Sequence, residues 1–134
     1  MVKPNPRLYF EAFITGILVA FSAAIMIRFF PDSWLLNSSQ RIGVFAFSAL
    51  CSPPIVILIR WIARTRHHPV QQFFYVGNIA ALLFDSTATG FAPQIYGHSG
   101  DASRVVIAAI AFGFFAIFLI DQLFPAAEEG KQYQ

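Results

Sequence analysis

The chain has 134 residues, of which 57% are hydrophobic and only 12% are charged, and its net charge is +2. A soluble domain carries about 25% charged residues, and a chain this short leaves much of its folded surface exposed. The composition therefore argues against a soluble domain and predicts a membrane protein, and the small, dispersed positive charge does not indicate nucleic-acid binding.

Four apolar runs are each about 20 residues long, which is enough to cross the hydrocarbon core as a helix. They cover residues 8–30, 42–63, 73–92 and 105–124. The first run is longer than the apolar part of a signal peptide, so we expect a retained helix there. Prolines, which disfavour the helix interior, lie at or near the predicted ends: Pro31, Pro69, Pro93 and Pro125.

The connections are short, so the sequence predicts a single all-α domain over residues 1–134, a four-helix membrane bundle with up-down-up-down topology. Both termini then lie on one side. That side carries Lys3, Arg7, Arg60, Arg64, Arg66 and Lys131, and the other carries Arg28, Arg41 and Arg104. The positive-inside rule therefore predicts cytoplasmic termini.

Small residues recur at helical spacing in the first and fourth runs. The residues are Gly16, Ala20 and Ala24 in the first, and Ala109, Gly113 and Ala116 in the fourth. Such stripes let helices approach closely in lipid. Two interpretations stay open, namely packing inside the bundle and an interface with a protein partner or a second copy.

Asp85 is a carboxylate in the third apolar run. A charge deep in the bilayer costs about 2.5 to 3.5 kcal/mol on insertion scales, so such a residue is expected to face the bundle interior. Gln71 and Asn78 precede it at intervals of seven residues, and Thr89 follows four residues later, so these side chains share one helix face. The spacing predicts a polar strip that points inward.

The second run contains Pro53 and Pro54, which remove two backbone donors and predict a kink. We expect a polar pocket between the second and third helices, in the outer half of the membrane. Its candidate residues are Asp85, Asn78, Thr89, Ser86, Arg28, Ser48 and Ser52, with Arg28 as the counter-ion. Three roles compete for this cluster: a packing contact, a ligand or ion pocket, and a proton relay.

Two other acidic residues are predicted to form ion pairs near the cytoplasmic boundary. Glu11 lies four residues after Arg7, so the two can pair on one helix face. Asp121, in the last turn of the fourth helix, has Arg7, Arg60 or Arg64 as possible partners.

Known catalytic and cofactor motifs are not found. The single cysteine, Cys51, permits neither an internal disulfide nor a cysteine-based metal site. The three histidines lie outside the apolar runs, and no nucleophile elbow, HExxH or dinucleotide fingerprint occurs. The sequence therefore predicts a non-enzymatic protein with no cofactor and no metal.

Three segments, "RFFPDSWL", "LLFDSTATGFAPQIYG" and "FGFFAIFLIDQLF", resemble a family of small bacterial four-helix membrane proteins of unknown function. Arg28, Asp85, Phe91 and Pro93 carry the resemblance. It implies the bacterial inner membrane and supplies no activity.

Two functions follow as hypotheses. The first is a structural or accessory component of a membrane assembly, because the loops are minimal and small-residue faces are available for packing. The alternative is a small oligomeric transporter or channel that uses the polar pocket around Asp85.

Overall fold

A computed structural model describes residues 5–126 of the chain, and this part is all-helical. The helices are α1 (Pro6–Arg28), α2 (Asp32–Leu36), α3 (Ser38–Thr65), α4 (Val70–Phe91) and α5 (Gly100–Leu123), and a 3-10 turn (Pro93–Tyr96) joins α4 to α5. The four long helices correspond to the four predicted runs. Lys3 and Lys131, two of the basic residues used to predict the orientation, lie outside the described residues.

The N-terminal ends of α1 and α3 extend beyond the apolar runs because polar side chains cap them. The Asn5 side chain accepts the backbone N–H of Leu8 at 3.3 Å, so α1 begins at Pro6. The Asn37 side chain accepts the N–H of Ser39 at 3.0 Å, so α3 begins four residues before the predicted start. Apolar content marks the membrane segment, whereas capping marks the helix.

Three helices, α1, α3 and α5, are long and apolar enough to cross a membrane. Only 22% of each apolar window is buried inside the protein, so most of each helix surface faces outward, as lipid contact requires. α4 is not among the three, since it carries the polar strip. Its assignment as a fourth span stays a prediction.

The two prolines of the second apolar run lie inside α3, which continues as a helix from Ser38 to Thr65. One turn of this region is bridged by a side chain, because the Ser52 hydroxyl donates to the carbonyl of Ser48 at 3.2 Å. Ser52 is buried. The prolines therefore do not end the helix.

α1 packs mainly against α4, and α3 mainly against α5, whereas α1 and α3 scarcely touch. Contacts run in the same order along α1 and α4, from Tyr9–Gln72 to Phe21–Phe84, so these two helices are parallel. Helices that follow each other in sequence are thus not always the closest neighbours.

The close approach of α1 and α4 depends on Gly16. A Cβ atom at Gly16 would lie 2.0 Å from the carbonyl oxygen of Gly77, closer than any real contact. The stripe of α1 that faces α4 is buried, and it consists of Leu8, Ala12, Gly16, Ala20 and Ala24. The predicted small-residue stripe of α1 is therefore used for packing inside the chain.

Two buried apolar clusters lie at opposite ends of the bundle. We call the ends inner and outer after the predicted orientation. The inner cluster centres on Phe73, Phe74, Leu8 and Ile59, and the outer cluster includes Tyr96, Leu35 and Val106. The short helix α2, which the sequence did not predict, contributes the buried Leu35 and closes the outer end.

Candidate functional site

A partly open cavity of about 110 Å³ lies among the four long helices, between the two buried clusters, and exposed side chains such as Met26 and Phe47 form part of its rim. Much of its wall consists of residues with little or no side chain: Gly16, Ala20 and Ala24 from α1, Gly77 and Ala81 from α4, and Ala109 and Gly113 from α5. Small residues bring the helix backbones together but fill little volume. The cavity is the space that remains.

Asp85 lines this cavity and is partly buried. Its Oδ1 accepts a hydrogen bond of 2.6 Å from the hydroxyl of Tyr96, which belongs to the 3-10 turn. Tyr96 also lines the cavity and is only 2% exposed. The turn therefore closes the outer end of the cavity with a phenol bonded to the carboxyl group.

The Tyr96 phenol remains a proton donor in this setting. Burial raises its pKa well above the ordinary value, and the hydrogen bond to Asp85 raises it further. A raised pKa means that the neutral, protonated phenol is favoured. The hydroxyl therefore donates to Asp85 and adds no charge to the cavity.

The predicted polar strip points inward at Asn78 and Asp85, whereas Gln71 is exposed. Asn78 is buried and lines the cavity, and its amide nitrogen donates to the carbonyl of Phe74 at 2.8 Å. Gln71, one heptad earlier, donates to Asp121 Oδ2 at 3.2 Å, across to α5. Asp85 completes the strip at the outer end.

Of the predicted serine and threonine residues of the pocket, only one lines the cavity. Ser48 lines the cavity, but Ser52 does not. Ser86 is exposed and donates to the carbonyl of Leu83, and Thr89 donates to the carbonyl of Asp85 at 2.7 Å. Ser52, Ser86 and Thr89 thus donate to carbonyls of their own helices and do not line the cavity.

Arg28 is placed away from Asp85. Its Nη1 donates to the carbonyl of Gln94 at 3.3 Å. Its backbone and stem pack against Gly97, where an added Cβ would lie 2.6 Å from Cγ of Arg28. The predicted counter-ion thus binds the 3-10 turn, and the partner of Asp85 is Tyr96. Tyr96 was not a predicted site residue, and the available signal was Pro93, which ends α4 and lets the chain turn back.

Glu11 joins α1 to the connection between α3 and α4. The predicted pair with Arg7 is confirmed, at 2.9 Å. Arg66 also binds Glu11, with contacts of 2.7 and 3.0 Å, and His68 Nε2 lies 2.7 Å from Oε2. The latter two partners lie more than fifty positions away in sequence, so helical spacing did not reveal them.

Asp121 joins α5 to α3 and α4. Of the three predicted partners, Arg60 forms the ion pair, and its Nη2 lies 2.7 Å from Oδ1 of Asp121. Both side chains are shielded, with 13% of Arg60 and 3% of Asp121 exposed. With the Gln71 bond, the carboxylate holds three helices together at the inner end.

His98 fastens the connection before α5 to the outer end of α1. Its Nδ1 lies 2.5 Å from Asp32 Oδ1, and its Nε2 lies 2.8 Å from the carbonyl oxygen of Ile27. A carbonyl oxygen only accepts, so Nε2 carries the proton in this contact. The side chain is buried, and it holds the segment containing Tyr96 in place.

No family model, curated protein or solved structure matches the chain. The resemblance to small bacterial four-helix proteins therefore stays a prediction. The three helices that are long and apolar enough to cross a bilayer indicate the class, an integral membrane protein.

Proposed function

We propose that the chain is a non-enzymatic four-helix protein of the bacterial inner membrane, with cytoplasmic termini, and that it serves as a structural or accessory component of a membrane assembly. The fourth span in this proposal is α4. Its 22 residues correspond to about 33 Å of helix, and it lies parallel to α1, which itself is long and apolar enough to cross.

The observation that carries the proposal is the pairing of acidic groups within the chain. Glu11 binds Arg7, Arg66 and His68, and Asp121 binds Arg60. Each of these pairs joins segments that are distant in sequence or successive turns of a helix. Carboxylates bound in this way hold helices in register.

The outward surface offers an apolar area on which a partner helix could pack. Large apolar side chains are exposed along the long helices, and examples are Phe10 at 68%, Leu50 at 73% and Ile57 at 66%. Lipid or a neighbouring membrane helix can cover such surface equally well. The small-residue stripes are turned inward, so a partner would contact large apolar side chains.

The accessory role is tested by cross-linking in intact membranes before detergent is added, followed by purification of the tagged chain and native mass spectrometry. We expect a second membrane protein at a constant stoichiometric ratio. The same ratio should survive when the tag is moved to the other terminus. Recovery of the chain alone or as a homo-oligomer would contradict an accessory role.

The cavity among the four long helices favours a second candidate, a small transporter or channel. A carboxyl group at a cavity between helices is the usual setting for an ion or substrate path. The test is flux through reconstituted vesicles, with Asp85→Asn as the variant. Flux that is lost in Asp85→Asn, while the variant reconstitutes normally, would support this candidate, and equal flux in both would exclude it.

A further inference from the structure

We infer that the partly open cavity among the four long helices binds a small organic cation, a protonated amine of about four to six non-hydrogen atoms. This goes beyond an accessory role, and it rests on the cavity candidate by naming the chemical class that the cavity would hold. Charge, wall chemistry and volume each support it.

The cavity is lined by an acidic side chain, Asp85, and by no basic one among the described residues. Among the described residues that line it, Asp85 is the only one with an ionisable acidic or basic group other than the Cys51 thiol and the Tyr96 phenol. The hydrogen-bond partner of its carboxyl group is that neutral phenol, and Arg28 is bound to the 3-10 turn. A carboxylate shielded from water is stable when a cation pairs with it. An ammonium group supplies that charge and can donate to the carboxylate oxygens.

The wall of the cavity suits a cation that carries hydrocarbon. Three phenylalanines and Tyr96 line it: Phe30, Phe47, Phe114 and Tyr96. Aromatic faces attract cations and also contact alkyl groups. Few oxygen atoms of side chains reach the cavity, whereas hard metal ions prefer a shell of six or more oxygen ligands. An alkylammonium ion fits this wall better than a bare metal ion.

The volume of the cavity indicates which ligand size to test. The cavity measures about 110 Å³. A protein cavity of about 150 Å³ lined by apolar side chains accepts benzene, which has six carbon atoms. A branched amine such as isobutylamine, with five non-hydrogen atoms, is therefore a suitable probe, and isobutanol is its neutral match.

Gly113 provides a variant that fills the cavity. It lines the cavity, and a Cβ added there meets no atom within 4 Å. Ala109 and Ile117 lie four residues on either side of it and are buried, so position 113 shares their inward face. Gly113→Leu should occupy the space that the amine needs. Gly90→Leu is the matched control, because Gly90 is exposed, also has open space at its Cβ, and does not line the cavity.

The experiment is calorimetric titration of the full chain in lipid nanodiscs at pH 7, with empty nanodiscs subtracted. We expect saturable binding of isobutylamine and at least tenfold weaker binding of isobutanol. Asp85→Asn should weaken amine binding at least tenfold and leave isobutanol unchanged. Gly113→Leu should abolish binding of both molecules, and Gly90→Leu should bind both as the unmodified chain does.

Several results would overturn the inference: no saturable amine binding to the folded chain, equal affinity for isobutanol, or unchanged amine binding in Gly113→Leu. Helical circular dichroism shows whether each variant folds. If Gly113→Leu or Asp85→Asn does not fold, Gly113→Ala is measured in its place. Its single methyl group should weaken amine binding measurably. An unchanged affinity would contradict the inference.

The outcomes also separate this inference from the proposed functions. If the chain binds the amine but reconstituted vesicles show no flux, the binding site is supported and the transporter candidate is excluded. If the chain has a stoichiometric partner but does not bind the amine, the accessory role is supported and the binding site is excluded.

Discussion

The hydroxyl of Tyr96 donates a hydrogen bond of 2.6 Å to Oδ1 of Asp85. This contact joins the 3-10 turn to α4 across Pro93, and both residues line the cavity. The partner of the single acidic residue of α4 thus comes from a connecting segment that no helical periodicity marks.

Tyr96→Phe is expected to destabilise the fold by about 1.5 to 3 kcal/mol, because it removes a shielded hydrogen bond to a carboxyl group and leaves the ring in place. The measurement is the free energy of unfolding in mixed micelles titrated with dodecyl sulfate. Tyr9→Phe is the control, since the Tyr9 hydroxyl accepts a bond from Gln72 on the exposed surface. Equal losses of unfolding free energy in the two variants would show that the hydrogen bond to Asp85 stabilises the fold no more than the exposed one does.

Gly16→Ala is expected to be strongly destabilising, by about 3 kcal/mol, because its methyl group would overlap the carbonyl oxygen of Gly77. Gly77→Ala should be tolerated, since the nearest atom to its added Cβ is the carbonyl oxygen of Ala12 at 3.5 Å. The same unfolding titration compares the two. A larger loss for Gly77→Ala would mean that the close contact between α1 and α4 is assigned to the wrong residue.

Arg60→Met is expected to cost about 3 kcal/mol, because it leaves Asp121 as a shielded carboxylate without its cation. The control is Arg104→Met, which removes an ion pair of 3.6 Å between side chains that are 85% and 81% exposed. Exposed pairs contribute at most about 1 kcal/mol. Similar unfolding free energies for the two variants would contradict a structural role for the Arg60–Asp121 pair.

Glu11→Gln is expected to loosen the connection between α3 and α4, because Arg66 and His68 lose their common carboxylate. Amide hydrogen exchange should rise at least fivefold at residues 66–70, with little change in α5. Arg7→Gln, which removes only the exposed partner on α1 itself, should leave that exchange unchanged. Equal exchange in all three proteins would show that the connection is held by its apolar contacts.

Much of the helical architecture was predictable from particular residues. The apolar runs locate the four long helices, because a stretch of about 20 apolar residues has few alternatives to a spanning or buried helix. The heptad spacing predicted an inward-facing strip, and two of its members, Asn78 and Asp85, line the cavity. The Arg7–Glu11 pair followed from a spacing of four residues. Each of these rests on the period of a single helix.

The pocket was predicted only in part for the same reason. Asp85, Asn78 and Ser48 line the cavity, whereas Ser86 and Thr89 bind carbonyls of α4. Helical spacing gives the face of a hydroxyl, but it does not tell whether the hydroxyl bonds to its own backbone. That choice depends on which neighbouring element offers a better partner.

The amino-acid sequence by itself determined the class of the protein, its long helices and the inward position of Asn78 and Asp85, because composition and helical period act within one segment. Tertiary structure decided the rest. The pairing of α1 with α4 depends on the absence of a side chain at Gly16 facing the backbone of Gly77. Arg28 donates a hydrogen bond to the carbonyl of Gln94, and Asp85 accepts one from the hydroxyl of Tyr96. Partners of this kind are selected by three-dimensional proximity, since a hydrogen bond requires atoms about 3 Å apart, whatever their separation along the chain.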